Sequence, residues 1–344
     1  MKKVISLVLA LVLVLGVFVS CGSNATDTSS VEQPSSTTPA KKPDVKLAAI
    51  MGPTGMGMSY LLDDSNNGKT LNNYKYEVFS GPEDIGPKLV SGKLDIAALP
   101  TNAAANLYNK SNGKIKVIAL NTLGVLYIVT KGDAIKTVDD LKNKTIYVSG
   151  QGATPEYILT SVLNNNGLQV GKDVKLDFTY ANHDDLVAYA AAGKADILLL
   201  PEPKVTALLN KNAEYKVAFD LNDLWAEANG DKNDDSSIVM GCVAVNTAFA
   251  EANPDAVANF LTEYKASVDK VNLDYTAASE VIAKVGIVPA APVALKALPR
   301  CQIVCITGNA MQARISKFYN VLYTANPDSI GGKLPDDNFY YTEK

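Results

Sequence analysis

The sequence feature that most constrains the fold is a segment that occurs twice. Gly92-Lys93-Leu94-Asp95-Ile96-Ala97-Ala98-Leu99-Pro100 returns as Gly193-Lys194-Ala195-Asp196-Ile197-Leu198-Leu199-Leu200-Pro201. A helix-like stretch precedes each copy (85–91 and 186–192), and another follows it (102–109 and 204–210). The apolar runs 94–99 and 195–200 have the length and the lack of alternation of strands covered on both faces, as parallel strands between helices are. One helix–strand–helix unit in each half of the chain predicts two α/β halves. Two similar halves that face each other are a way to build a ligand cleft.

The rest of the chain carries the same alternation. Runs at 45–50, 74–80, 117–121, 125–130, 145–149, 174–180, 215–220 and 238–246 read as strands. Stretches at 59–64, 82–89, 103–108, 156–164, 183–192, 255–272, 277–285 and 309–324 read as helices. Thr137 and Asp140 have capping-box spacing, and the alternation restarts there. A polar loop at 231–235 precedes the return strand. The expected division is a first lobe of 44–130 plus 239–344 and a second lobe of 131–238. The two crossings near 125–130 and 238–243 would form the hinge. The fold class is α/β, with two parallel-type sheets flanked by helices.

At the N-terminus Lys2 and Lys3 precede the apolar run Val4–Val19, which ends at Ser20-Cys21. This is the pattern of a secretory signal, and the run falls short of the ~20 apolar residues of a membrane span. Phe18-Val19-Ser20-Cys21 resembles a bacterial lipobox, with Phe18 where Leu is usual. That resemblance implies a signal peptide at 1–20 and a lipid on Cys21. Residues 22–43 are rich in Ser, Thr, Pro and Gln, too polar to bury a core, and read as a tether.

Composition excludes several functions. The net charge is −4 and the only arginines are Arg300 and Arg314, so no basic stripe marks a nucleic-acid partner. His183 is the single histidine, which rules out a histidine cluster for zinc. Cys242, Cys301 and Cys305 are an odd set without a disulfide framework. A Cys301–Cys305 bond depends on geometry the sequence does not give. No Gly-x-Ser-x-Gly elbow is present, and the first glycine-rich loop lacks the Gly-Lys-Ser/Thr ending of a P-loop. No cofactor or metal is expected.

Ligands of open α/β sheets bind beyond the carboxyl ends of the strands. Four loops hold that position: 51–58, 100–102, 149–155 and 201–203. Ser149-Gly150-Gln151-Gly152-Ala153-Thr154-Pro155 follows a strand and opens a helix, so its amides face an incoming acceptor. Gly52-Pro53-Thr54-Gly55-Met56-Gly57 is its counterpart in the first half. Met58 fits the core better than a ligand contact. Thr101 and Asn102 end one repeat and either cap the next helix or touch a ligand. Glu202 ends the other, as an acceptor for a ligand amine or as a plain turn acid. Asn182-His183-Asp184-Asp185 reads first as a capped helix start.

Val138-Asp139-Asp140-Leu141-Lys142-Asn143-Lys144-Thr145-Ile146, the Gly-x-Gly-Ala-Thr-Pro loop and both Gly-Lys-x-Asp repeats resemble the solute-binding proteins of the nitrate/sulfonate/taurine and thiamine-precursor transporters. The stretch from Val243 through Val257 fits the same group. The resemblance covers most of 44–290 and implies a two-lobed type II periplasmic-binding-protein fold. It implies a monomeric, non-catalytic lipoprotein on the outer face of the cell membrane. This receptor would hand a small polar molecule to an ABC permease and its ATPase. Mapped onto this chain, the ligand residues are Thr54, Gly55, Thr101, Asn102, Gly152, Ala153, Thr154 and Glu202, with Asn182 and Met240. Neither glycine-rich loop carries Arg or Lys. That leans toward a heterocycle or amphoteric ligand over a sulfonate- or nitrate-like anion, although helix N-termini alone hold anions. The alternatives are a pyrimidine-precursor synthase on the same fold, which uses a histidine and a cysteine-rich segment, or a surface sensor without transport. The tail Ile330-Gly331-Gly332-Lys333-Leu334-Pro335-Asp336-Asp337 resembles a subgroup feature without an assigned role.

Overall fold

The two repeated segments become two equivalent strands. Ile96–Leu99 and Ile197–Leu200 are buried along their whole length, so each needs cover on both faces. Gly92 and Gly193, at φ +72° and +76°, end the preceding helices in the left-handed conformation that glycine adopts without strain. The computed structural model describes residues 42–228 and 237–342. Cys21 and the proposed signal peptide lie outside the described residues, as does the polar loop at 231–235.

The first sheet contains β1 (Asp44–Ile50), β2 (Asn73–Phe79), β3 (Ile96–Pro100), β4 (Ile115–Thr122), β10 (Gly241–Asn246) and β11 (Ile303–Ile306), in the order β11-β4-β10-β3-β1-β2. The second contains β5 (Leu126–Lys131), β6 (Thr145–Val148), β7 (Lys175–Asp177), β8 (Ile197–Pro201) and β9 (Tyr215–Asp220), in the order β7-β6-β8-β5-β9. The helices between them are α1 (Pro53–Met56), α2 (Ser59–Asn66), α3 (Ile85–Val90), α4 (Thr101–Ser111), α5 (Thr154–Asn165), α6 (His183–Ala191), α7 (Lys204–Lys211) and α8 (Leu221–Ala228). After β10 come α9 (Thr247–Ala252), α10 (Pro254–Leu273), α11 (Tyr275–Lys284), α12 (Ala291–Ala297) and α13 (Gly308–Ala325). Each repeat is thus a helix–strand–helix unit, α3-β3-α4 in one sheet and α6-β8-α7 in the other.

The expectation of parallel sheets needs a correction, because both are mixed. β1 pairs parallel with β2 and β3, but β10 runs antiparallel to β3 and β4. β6 pairs parallel with β7 and β8, but β5 runs antiparallel to β8 and β9. The physical reason is that β5 and β10 are the strands by which the chain crosses between sheets. Each enters its sheet at the edge where its neighbours end. The boundary read at 130/131 also moves, since β5 pairs only within the second sheet, and the first crossing is 123–125. Residues Lys42 and Pro43, read as tether, are bound to the fold: Lys42 Nζ donates to Thr70 O at 2.5 Å and Pro43 O accepts from Asn73 N at 2.7 Å.

Alternation sorts the second sheet's side chains into two cores. Tyr127, Val129, Leu198 and Leu200 pack with Leu186 and Val187 of α6 on one face. Leu126, Ile128, Ile197 and Leu199 join the large cluster that also takes in the first sheet. Met56 and Met58 are fully buried in that cluster. The tail after α13 is a strap: Gly331 at φ +84° lies against α4, where a Cβ would come within 3.1 Å of Asn106 Cα. Tyr108 Oη donates to Asp336 at 2.6 Å, and Tyr341 N donates to Val117 O at 2.9 Å beside β4.

Candidate functional site

Topology brings the candidate loops to one seam. In the first sheet β1, β2, β3 and β4 end on the same edge; in the second, β6, β7, β8 and β9 do. The crossing 123–125 joins the end of β4 to the start of β5, which lies on the second sheet's carboxyl edge. Three residues of connection therefore hold two carboxyl edges against each other.

On the first sheet's side, Gly55 is required by close approach. A Cβ there would stand 2.0 Å from Ile50 O, so only glycine lets α1 turn back so tightly after β1. The turn leaves Thr54 half-buried at the edge. Buried Asn121 fixes it: Nδ2 donates to Thr54 O at 3.1 Å and to Cys242 O at 2.8 Å. Thr101 is 1% exposed. Its hydroxyl donates to Val239 O at 2.5 Å, its N–H to Met240 O at 3.1 Å, and its carbonyl accepts from Tyr319 at 2.6 Å. Asn102 and Met240 are half-buried beside it. Thr54, Thr101, Asn102 and Met240 thus gather at one edge, with Thr101 tied to the return strand.

On the second sheet's side the loop after β6 is folded on itself. Gly150 and Gly152 take φ +78° and +73°, and Ala153 N donates to Gly150 O at 3.1 Å. Gly152 is exposed, while Ala153 and Thr154 are half-buried. Gly152 N donates to Glu156 Oε2 at 2.6 Å, and Gly152 O accepts from Tyr157 Oη at 2.8 Å. An exposed amide that already holds a carboxylate has the polarity to hold a ligand oxygen. Buried Ser149 hydrogen-bonds His183 Nδ1. Burial, helped by nearby Lys204, holds the His183 imidazole below its ordinary pKa, so it is neutral at pH 7 and presents a dipole rather than a charge.

Asn182 is an exposed N-cap: its Oδ1 accepts from Asp185 N at 2.9 Å. Glu202 is 3% exposed, and the place read as open to a ligand amine is taken. The Arg300 guanidinium pairs with its carboxylate, and Thr206 donates to it from N and Oγ1, both at 3.1 Å. Burial pushes the Glu202 carboxyl up against the pull of Arg300.

Sequence reasoning missed the Ser149–His183 pair and Arg300. The loop after β7 also ends on the carboxyl edge, and including it would have paired His183 with Ser149. Arg300 had no such signal, because it reaches Glu202 across 98 residues. Cys242, Cys301 and Cys305 are free thiols. Among the described residues no cluster of three or more His, Cys, Asp or Glu fit to hold a metal is present, and no helix is long and apolar enough to cross a membrane.

A two-sheet α/β molecule with loops on adjoining carboxyl edges has the architecture of a periplasmic binding protein. A family model for the phosphonate periplasmic substrate-binding proteins of ABC transporters matches residues 73–294, and the chain belongs to that family. No curated protein matches it in sequence. Among solved structures it is similar to an ABC transporter protein from Parabacteroides distasonis (24% identity, 88% of this chain and 100% of that one, TM-score 0.74). It is also similar to the periplasmic aliphatic sulphonate binding protein SsuA of Escherichia coli (16% identity, 88% and 94%, TM-score 0.67). A third is the alkanesulfonate-binding SsuA of Xanthomonas axonopodis pv. citri bound to MOPS (15% identity, 83% and 94%, TM-score 0.56). At these identities the likeness establishes the fold.

Proposed function

We propose that this chain is the extracytoplasmic receptor of an ABC importer and that it captures a small oxyanion, of the phosphonate or sulfonate class, at the seam between the sheets. The observation that carries the oxyanion is the Arg300–Glu202 pair. With Glu202 paired to Arg300, the strand-end acid read as an acceptor for a ligand amine is occupied. The second sheet's edge offers groups that can donate to oxygen atoms: the Thr154 hydroxyl, the His183 ring held by Ser149, and the Gly152 amide, which a ligand oxygen would take over from Glu156. The family description and the sulphonate-binding neighbours support the same ligand class.

In this reading the halves built on the two sheets act as lobes. Thr54, Gly55, Asn102 and Met240 on one side and Gly152, Ala153 and Thr154 on the other close on the ligand. Thr101, Asn182 and Glu202 shape their loops. Binding shifts the lobes toward closure by the ligand's differential affinity for the closed state. Cys21 carries a lipid that ties the receptor to the membrane beside the permease and ATPase. The receptor acts as a monomer, without catalysis or cofactor.

A thermal-shift panel tests the reading: alkylphosphonates, alkylsulfonates, taurine, nitrate and thiamine precursors against the full chain in detergent. A ligand at ~100 times its Kd adds ~2.7 kcal/mol of stability. A shift with a phosphonate or sulfonate is expected. A shift with thiamine precursors alone overturns the ligand class.

A further inference from the structure

The seam carries a third connection besides the two chain crossings. The short helical turn Leu298–Arg300 and the residues after it lead into β11 of the first sheet, yet their polar groups bond to the second sheet's side. Arg300 pairs with Glu202 at the end of β8, and its Nη2 donates to Thr206 Oγ1 of α7 at 2.9 Å. Tyr127 Oη of β5 donates to Arg300 O at 2.7 Å. Gln302 Nε2 donates to Asp220 Oδ2 of β9 at 3.1 Å, and Asn222 Nδ2 of α8 donates to Gln302 Oε1 at 3.2 Å. Gln302 also fixes the crossing itself, because its carbonyl accepts from Leu123 N at 3.2 Å. Beside it Gly124 lies so close to α8 that a Cβ would come within 2.8 Å of Asn222 Cβ.

Gln302 takes φ +43°, a left-handed conformation that is uncommon for a residue with a side chain and persists where its surroundings over-determine it. Here the surroundings are the three hydrogen bonds that Gln302 makes with Asp220, Asn222 and Leu123. A buried ion pair adds little net stability, but removing one partner is costly. Such a pair therefore favours the one arrangement that satisfies both charges.

We propose that residues 298–302 are a clamp that sets the resting separation of the two sheets, Arg300 and Gln302 being its two teeth. The clamp stands whatever the ligand is. It rests on the reading of the two halves as movable lobes, and the test below reads their separation without ligand.

The molecule carries its own reporter. Trp225, the only tryptophan, sits on α8 at 2% exposure. Its ring centroid lies 6.1 Å from that of Phe318 on α13, which packs on the first sheet. If the clamp loosens, α8 leaves α13 and Trp225 meets water. The experiment compares tryptophan emission and acrylamide quenching of the ligand-free full chain, in detergent, with those of the Glu202→Gln/Arg300→Gln double variant and of Gln302→Ala. The double variant replaces the ion pair with neutral amides, so no buried charge is orphaned. Gln302→Ala removes no charge and covers the case in which the double variant does not fold. Cooperative thermal unfolding by circular dichroism identifies the folded variants. The clamp predicts red-shifted emission and a severalfold rise in quenching in folded variants. Emission and quenching equal to wild type in folded Gln302→Ala overturn it.

Discussion

Ser149 and His183 illustrate what one residue contributes. Each lies at the end of a different strand unit, and they meet because β6 and β7 are neighbours in the second sheet. Ser149→Ala deletes the buried hydroxyl that holds the His183 ring at the proposed oxyanion site and leaves the core intact. It should weaken ligand binding by about tenfold, the worth of one good hydrogen bond, with little change in Tm. Equal affinity in a titration would remove Ser149 from the site. Asp220 makes a second prediction. Burial raises its carboxyl from 3.8 to about 6, so between those values the folded chain binds a proton that the unfolded chain releases. Its contribution to stability therefore rises as pH falls from 7 through 6 and shrinks again as pH rises. Asp220→Asn should flatten that part of the pH profile relative to wild type. An unchanged difference in Tm between pH 7.5 and pH 5.5 would contradict the assignment. The identity of these residues was legible in the sequence, but their partners were not. Glu202 was visible as a strand-end acid, whereas its cation comes from a segment 98 residues away.

At the scale of elements, the strands and helices that bury continuous apolar runs were legible, because burial on both faces writes itself into composition. α10 was expected at 255–272 and runs Pro254–Leu273, with Pro254 at its start. The capping box at Thr137 and Asp140 is present, opening a short 3₁₀ turn. The elements missed are short: α1, α8, α9, α12 and β11, of four, eight, six, seven and four residues. Pieces of that length show too few turns for a periodicity to register, and tertiary contacts hold them. Direction also escaped the sequence, since a buried strand looks alike whichever way it runs, so β5 and β10 turned both sheets mixed. The glycine-rich turns were legible as glycine-dependent. Gly55→Ala should cost several kcal/mol, the scale of severe packing errors, because its Cβ would meet the backbone of Ile50 at 2.0 Å. A denaturant midpoint equal to wild type would refute that requirement. Gly331→Ala, strained in φ and pressed on α4, should loosen the C-terminal strap and speed proteolysis after Ala325. Proteolysis at the wild-type rate would leave the strap without a bracing role.

At the scale of the whole molecule, a repeated unit became two sheets, and the short crossing at 123–125 sets their carboxyl edges against each other. That arrangement is the one shared with the periplasmic substrate-binding family to which the chain belongs. The Arg300–Glu202 pair ties the segment that enters β11 to the second sheet. The most direct test of this account is an isothermal titration of the full chain with an alkylphosphonate and an alkylsulfonate, repeated on Ser149→Ala. The account predicts saturable one-to-one binding of at least one of them, weakened in the variant. No binding of either anion, with a thiamine precursor bound instead, would contradict it.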